Sequence, residues 1–149
     1  MQKSKGFTII ELLVVVAIIA VLTGIVLVNV TGYINKGKRS AVQGDLATMR
    51  TNAAVWYDGH STYVGYAADT TYTGPAAGIT SAYSGATIGE SESATAWCAC
   101  STVPDVTGST GQNYCVDSTG AAKLTPTATH ACSATTSGTT ECTNTGVCL

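Results

Sequence analysis

The sequence is poor in charged residues, in aromatic residues and in motifs that carry catalysis. Charged residues make up 11% of the 149 positions, aromatic residues 7%, and the net charge is −2. The two histidines, His60 and His130, have no nucleophile motif beside them. No Gly-x-Ser-x-Gly, phosphate-binding loop or His-Glu-x-x-His occurs. We therefore predict that the chain is not an enzyme, has no catalytic residue or cofactor, and does not bind nucleic acid sequence-specifically.

Large aliphatic residues are scarce after the first third of the chain. From Asp58 onward the Val, Ile, Leu, Met and Phe residues are Val64, Ile79, Ile88, Val103, Val106, Val116, Leu124, Val147 and Leu149. Most other positions there hold Thr, Ser, Gly or Ala. Such a segment buries little apolar surface, whereas ordering its backbone costs ~1–2 kcal/mol per residue. It needs covalent crosslinks, or another element on which to pack.

All six cysteines lie in this weakly apolar part of the chain. They are Cys98, Cys100, Cys115, Cys132, Cys142 and Cys148. An even number of cysteines in such a segment predicts disulfides and an oxidising compartment. The Cys98-Ala99-Cys100 spacing lacks the two-residue spacer of zinc-binding pairs, so we predict no metal site. Six cysteines allow 15 pairings, and the sequence does not choose among them.

A long apolar run begins near the amino terminus. From Leu12 to Val30 no residue is charged, and 14 of the 19 positions are Leu, Ile or Val. As a helix this run would span ~28 Å, close to the hydrocarbon thickness of a bilayer. It is longer than the apolar core of a cleaved secretory signal. An ordinary membrane anchor would explain its length, but not the acidic residue Glu11 at its start.

Glu11 is a candidate functional residue because an ionisable group in an apolar run is costly. Cleavage of the peptide bond between Gly6 and Phe7 would create a new amino-terminal amine. The amine of one copy would then pair with Glu11 of its neighbour. Because misaligned neighbours would leave both charges unpaired in a low dielectric, this pairing would set the axial register of an assembly.

The segment Gly6-Phe7-Thr8-Ile9-Ile10-Glu11-Leu12-Leu13-Val14-Val15 resembles the class III leader junction of type IV pilins and pseudopilins. The resemblance covers roughly residues 1–60. It implies that a prepilin peptidase cuts after Gly6 and methylates the amine of Phe7, and that Glu11 acts in assembly. One departure is that many family members have a proline late in the apolar run, whereas the first proline here is Pro75. The glycines Gly24, Gly32 and Gly37 would loosen the helix instead.

The region after the apolar run continues with helical spacing. Apolar residues at Val42, Leu46, Met49, Ala53 and Trp56 predict one face of an amphipathic helix. The simplest interpretation is one helix from about Phe7 to Tyr57, on which the weakly apolar part packs.

The sequence pattern of the rest of the chain predicts loops and short strands. Residues 59–95 have little periodicity, which favours a surface loop with short elements. Their tyrosines would cover a small core or, less simply, form an adhesive surface. Strands are predicted at 96–100 and 113–116, with Trp97 or Tyr114 facing the helix and the cysteines on the other face. Neither Asp105 nor Asp117 lies in a dense carboxylate loop, so calcium is not predicted.

These observations predict an α+β, lollipop-like fold in which a long amino-terminal helix packs on a small disulfide-tied antiparallel sheet. The expected parts are a leader at 1–6, a transmembrane and filament-core helix at 7–30, an amphipathic helix at 31–57 and a head at 58–149.

Three functions are compatible with this organisation. The first is a subunit of a type IV pilus-like surface filament, used for adhesion, motility or DNA uptake. The second is a pseudopilin of a type II secretion machine, and the third is an anchored binding protein that does not polymerise. For the first, the expected partners are copies of the chain itself, the prepilin peptidase and the pilus or secretion assembly machinery. The precursor would lie in the inner membrane, and the mature subunit in an extracellular filament.

Overall fold

The structure is a computed structural model that describes residues 6–105, 111–126, 132, 142 and 148. Its elements are α1 (Ile9–His60), a 3-10 turn (Tyr66–Ala68), α2 (Thr70–Ala82), β1 (Ile88–Glu92), β2 (Trp97–Val103), β3 (Gln112–Asp117) and β4 (Ala122–Pro126). The chain divides into two compact units, Met1–Ile34 and Asn35–Leu149. His130 and leader residues 1–5 lie outside the described residues.

Helix α1 has close to the predicted extent. It comprises 52 residues, from Ile9 to His60. It remains α-helical through Gly24, Gly32 and Gly37, so none of these glycines ends it. It ends beside Ser61, which has a positive φ of 55°.

The predicted amphipathic face of α1 is confirmed. Val42, Leu46 and Met49 are fully buried and Ala53 is 1% exposed. These four residues belong to one buried hydrophobic cluster that also includes Trp97. The partly buried side chain of Trp56 packs against this cluster. Each fully buried large apolar side chain stabilises the fold by roughly 1.5–3 kcal/mol relative to its exposed state. The helix thus supplies the apolar surface that the rest of the chain lacks.

The sheet is antiparallel throughout, with strand order β1-β2-β3-β4. On β2, Trp97 and Ala99 belong to the core that includes α1 residues, whereas Cys98 and Cys100 belong to a separate cluster of cysteines. On β3, Tyr114 packs against the first cluster and Cys115 belongs to the second. The predicted separation of the aromatic and cysteine faces is therefore confirmed, and both Trp97 and Tyr114 lie on the helix side.

The segment at 59–95, predicted as a surface loop with short elements, has more regular structure than predicted, because it contains the 13-residue helix α2 as well as β1. The Asp69 side chain caps α2 by accepting a hydrogen bond from the Thr71 amide, at 2.8 Å. Pro75 lies inside α2 and has no amide hydrogen, so it leaves the Thr71 carbonyl without its intrahelical donor. Asn52 of α1 donates to that carbonyl at 2.7 Å. A contact between helices therefore stabilises a helix that local propensity does not predict.

A close approach to α1 further fixes the position of α2. A Cβ atom at Gly78 would lie 2.7 Å from Oδ2 of Asp45, so a larger side chain would displace one of the two. A side chain at position 78 would therefore require the Asp45 carboxylate to move.

The tyrosines of this region mainly form core, as predicted. Tyr66 is fully buried, and Tyr63 and Tyr72 are each 8% exposed. The Tyr66 ring meets Trp97 edge-on at 5.4 Å, and its hydroxyl donates to the Met49 carbonyl at 2.8 Å. Burial raises the pKa of Tyr66 to about 12, so the hydroxyl stays protonated and remains a donor.

Replacing Asn52 with alanine is expected to destabilise the packing of α2 on α1. The Thr71 carbonyl would lose its donor, and a lost hydrogen bond of this kind costs about 1–2 kcal/mol. Denaturant unfolding of the full chain in a non-ionic detergent, followed by tryptophan fluorescence, measures the change. In a Pro75→Ala background the helix regains its own donor, so the same substitution should cost less. Equal losses in both backgrounds would contradict this account of Asn52.

Candidate functional site

The junction between Gly6 and Glu11 forms a reciprocal capping box at the start of α1. The Thr8 amide and hydroxyl donate to Oε2 of Glu11, at 2.9 and 2.7 Å. The Glu11 amide donates back to the Thr8 hydroxyl at 3.3 Å. Thr8 is thus the N-cap residue and Glu11 the third residue of the helix. The sequence interpretation missed this role, although the spacing Thr8-x-x-Glu11 is itself the signature of a capping box.

The residues on either side of the predicted cleavage point are accessible. Gly6, Phe7 and Glu11 are exposed, with Phe7 at 74%. A Cβ atom placed on Gly6 would meet no described heavy atom within 4 Å other than those of Gly6 and its two chain neighbours. An enzyme can therefore reach the Gly6–Phe7 peptide bond without displacing other described parts of the chain.

The apolar run of α1 has an exposed surface in the single chain. The large hydrophobic side chains described between Ile9 and Ile34 are 43–79% exposed. By length and composition α1 is long and apolar enough to cross a membrane. Such a continuous apolar surface is typical of a segment that is covered by lipid or by other protein chains.

The six cysteines form three disulfides on the sheet face opposite the helix side. The bridges are Cys98–Cys142, Cys100–Cys132 and Cys115–Cys148, with Cα–Cα distances of 5.7, 5.7 and 5.9 Å. Each bridge joins a cysteine in β2 or β3 to one that follows β4. The buried cluster on this face consists of the cysteines, with Ala121 packed against it. Disulfides therefore take the place of an apolar layer here.

Asp117, at the end of β3, is a buried carboxylate on the same face. Its Oδ1 accepts from the amide and hydroxyl of Thr119, at 2.9 and 2.7 Å, and from the Ala121 amide at 2.9 Å. Its Oδ2 accepts from the Cys148 amide at 3.0 Å. Burial raises the pKa of the carboxyl, but these hydrogen bonds outweigh it and lower the pKa below its usual value. Asp117 therefore carries a stabilised negative charge at neutral pH.

His60 and Asp105 both contact other described residues of the chain. His60 stacks on Trp56 with ring centroids 3.8 Å apart, and its Nδ1 lies 2.9 Å from the Trp56 carbonyl oxygen. The backbone carbonyl of Asp105 accepts from the Asn35 side chain at 2.9 Å. Among the described residues, no three His, Cys, Asp or Glu side chains are grouped as metal ligands would be.

Comparison with known proteins gives this geometry a family context. Residues 1–27 match the family model described as the prokaryotic N-terminal methylation motif. The chain is 40% identical over 72 residues to Fimbrial protein Q of Moraxella bovis. The matched segment covers 48% of this chain and 46% of that protein. It is 45% identical over 51 residues to the type IV major alpha-pilin of Moraxella bovis, which covers 34% and 32%. No solved structure matches.

The matched segment thus defines a protein with a prepilin-type amino terminus. Together, the motif and the two relatives show that the chain is similar to type IV pilins over at most about half of its length. The chain spans less than half the length of the curated relatives that it matches.

Proposed function

We propose that this chain is the precursor of a structural subunit of a type IV pilus-like filament. In this proposal a prepilin peptidase cuts the precursor after Gly6 and methylates the new amine of Phe7. The mature chain then polymerises through its amino-terminal helix. The filament would serve surface adhesion, motility or DNA uptake, and the chain itself would carry out no catalysis.

The observation that carries the proposal is the exposed apolar surface that directly follows the capping box of α1. Covering one large aliphatic side chain is favourable by roughly 1.5–3 kcal/mol, and this surface presents many of them. In the precursor the bilayer would cover residues 7–30. In the filament, neighbouring helices would replace the lipid, so the same surface serves both states.

Glu11 would fix the register of neighbouring copies. Its side chain is exposed and accepts two hydrogen bonds from Thr8, which leaves Oε1 available in the described chain. An amine on Phe7 of the next copy would neutralise the carboxylate as lipid or protein covers it. The pairing would be favourable only where the copies are correctly aligned.

The parts of the chain would then have separate tasks. The leader at 1–6 would be removed, 7–30 would anchor the precursor in the inner membrane and later line the filament core, and 31–57 would support the head. The head at 58–149 would face the outside of the cell. The assembly machinery would move the chain from the membrane into the extracellular filament.

Replacing Gly6 with valine tests the processing step. We expect cleavage of the variant to be at least about tenfold slower, because a branched side chain would be placed beside the scissile bond. The chain's own fold leaves space at Gly6, so the loss would reflect recognition by the peptidase. Intact mass and amino-terminal sequencing of protein from the native host measure the cleavage.

Gly44→Val is the matched control. It also introduces valine at a position where a Cβ atom would be unobstructed, but this position lies inside α1, so the variant should be cleaved normally. A mature-length product from Gly6→Val at the normal rate would remove the leader hypothesis. A wild-type chain that retains Met1 would favour an anchored protein that does not polymerise.

A further inference from the structure

A cleft of about 280 Å³ lies between the last turns of α1 and the start of α2. It is lined by Asn52, Val55, Trp56 and His60 of α1 and by Asp69 and Thr71 at the start of α2. All six residues belong to the second compact unit, and none of them is a lysine or an arginine. The cleft is therefore separate from the apolar run that the proposed assembly uses.

The polar side chains of the cleft are held in place by their neighbours. Nδ2 of Asn52 donates to the Thr71 carbonyl at 2.7 Å. Oδ1 of Asp69 accepts from the Thr71 amide and hydroxyl, at 2.8 and 2.6 Å. The His60 ring stacks on the Trp56 indole, and its Nδ1 lies 2.9 Å from the Trp56 carbonyl oxygen. A ligand would therefore not have to order these side chains first, which favours binding.

The atoms that these side chains leave for a ligand are mainly hydrogen-bond acceptors. A carbonyl oxygen can only accept, so His60 donates through Nδ1, and the neutral imidazole keeps Nε2 as an acceptor. The Thr71 hydroxyl gives its hydrogen to Asp69 and can also only accept. With Oδ2 of Asp69 and Oδ1 of Asn52, the set offers four acceptors, against one remaining N–H of Asn52.

The cleft also has a negative charge and an apolar wall. Hydrogen bonds from the hydroxyl and the amide of Thr71 lower the pKa of Asp69, so this carboxylate is ionised at neutral pH. Val55, which is 69% exposed, and the indole of Trp56 form the wall. Asp69 would repel an anion, and a neutral donor forms weaker hydrogen bonds than a charged one. The complementary ligand is a cation with several N–H bonds on an apolar stem.

We propose that this cleft binds a primary alkylammonium group. The three N–H bonds of the ammonium pair with acceptors of Asp69, Asn52 and His60, and the methylene stem lies against Val55 and Trp56. A lysine side chain of a second copy carries such a group, and so does a free alkyl amine. Exposed lysines on the described chain include Lys38 and Lys123.

The experiment is a titration of the isotope-labelled full chain with n-pentylammonium, in a non-ionic detergent at neutral pH. Nuclear magnetic resonance follows the backbone amide signals of Val55, His60 and Thr71, and we expect saturable shifts. In Asp69→Asn the affinity should fall at least about fivefold, because the charge-assisted bond to the ammonium is lost. Asparagine caps a helix as well as aspartate does, so α2 should keep its start.

Asp58→Asn is the matched control. Asp58 is an exposed carboxylate two residues before His60, but it does not line the cleft. The variant loses the same charge and should bind n-pentylammonium within about twofold of wild type, because water and salt screen an exposed charge outside the cleft. Two further ligands separate the parts of the interaction. Tetramethylammonium has the charge without N–H bonds and n-pentanol has the stem without the charge, and each should bind at least about fivefold more weakly.

A carbodiimide reaction distinguishes the two sources of the ammonium group. Labelled and unlabelled chains are mixed, and the reagent takes up the water that is lost when a carboxylate and a contacting lysine form an amide. An amide between Asp69 and a lysine of another copy would identify a lysine side chain as the occupant. Saturable binding of n-pentylammonium without such an amide would identify a free amine.

Three outcomes would overturn the proposal. The first is that n-pentylammonium gives no saturable shift in the wild type. The second is equal affinity of Asp69→Asn and Asp58→Asn, which would leave the Asp69 carboxylate without a role in binding. The third is that tetramethylammonium binds as tightly as n-pentylammonium, which would mean that the acceptors of the cleft do not select the ligand. None of these outcomes depends on whether the chain forms filaments.

Discussion

Glu11→Ala is expected to be cleaved normally after Gly6 but to yield at least about tenfold less filament than the wild type. In the proposed assembly the amine of Phe7 would be covered without a counter-charge, and an unpaired buried charge costs about 3–5 kcal/mol. A cost of 1.4 kcal/mol already corresponds to a factor of ten in an equilibrium. Filament mass sheared from cells, divided by the total mature chain in a membrane fraction, measures assembly separately from processing.

The capping box provides the control for this experiment. Glu11→Ala removes both the carboxylate and its hydrogen bonds to Thr8, so loss of the helix cap is a rival explanation. Thr8→Val removes the hydroxyl from the cap but retains the charge of Glu11. We expect this variant to assemble within about threefold of wild type, since losing a cap costs only about 0.5–2 kcal/mol. Equal defects in both variants would mean that Glu11 acts by starting the helix, and the register hypothesis would be abandoned.

The long helix was predictable because its signals are local. The apolar residues from Val42 to Trp56 recur at helical spacing, and the run from Leu12 to Val30 has one composition throughout. The same holds for Trp97 and Cys98, whose alternation along β2 predicts opposite faces. Each of these inferences depends on residues within a few positions of one another, and the structure agrees with them.

The missed features depend on contacts between distant residues. Helix α2 contains Pro75 and several threonines, which local propensity disfavours, and the compensating donor is Asn52, 19 residues before the carbonyl that it binds. The cysteine pairs likewise join residues that are 32 to 44 positions apart in the sequence. A periodic pattern contains no information about such partners. Thr8 is different, because its capping signal is local and was present in the sequence.

Removing the Cys100–Cys132 bridge by the double substitution Cys100→Ala/Cys132→Ala is expected to lower the free energy of unfolding by about 2–5 kcal/mol. The bridge closes a sequence separation of 32 residues, so its loss restores much conformational freedom to the unfolded chain. It also opens the buried cysteine cluster, where the described apolar side chain packed alongside is the small one of Ala121. Denaturant unfolding in non-ionic detergent, followed by the fluorescence of buried Trp97, measures the loss.

Full reduction of the wild type extends the test to all three bridges. Because every bridge crosses between the sheet and the segment after β4, their combined loss should exceed that of the single pair and expose the cysteine face. The packing on the helix side of the sheet should persist longer. There Trp97 packs with Val42, Leu46 and Met49, and this cluster does not depend on a disulfide. Hydrogen exchange should therefore show loss of protection at Cys115 and Asp117 before loss at Leu46. If reduction left the unfolding midpoint unchanged, the head would have a sufficient core without its disulfides, and the stabilising role assigned to them would be wrong.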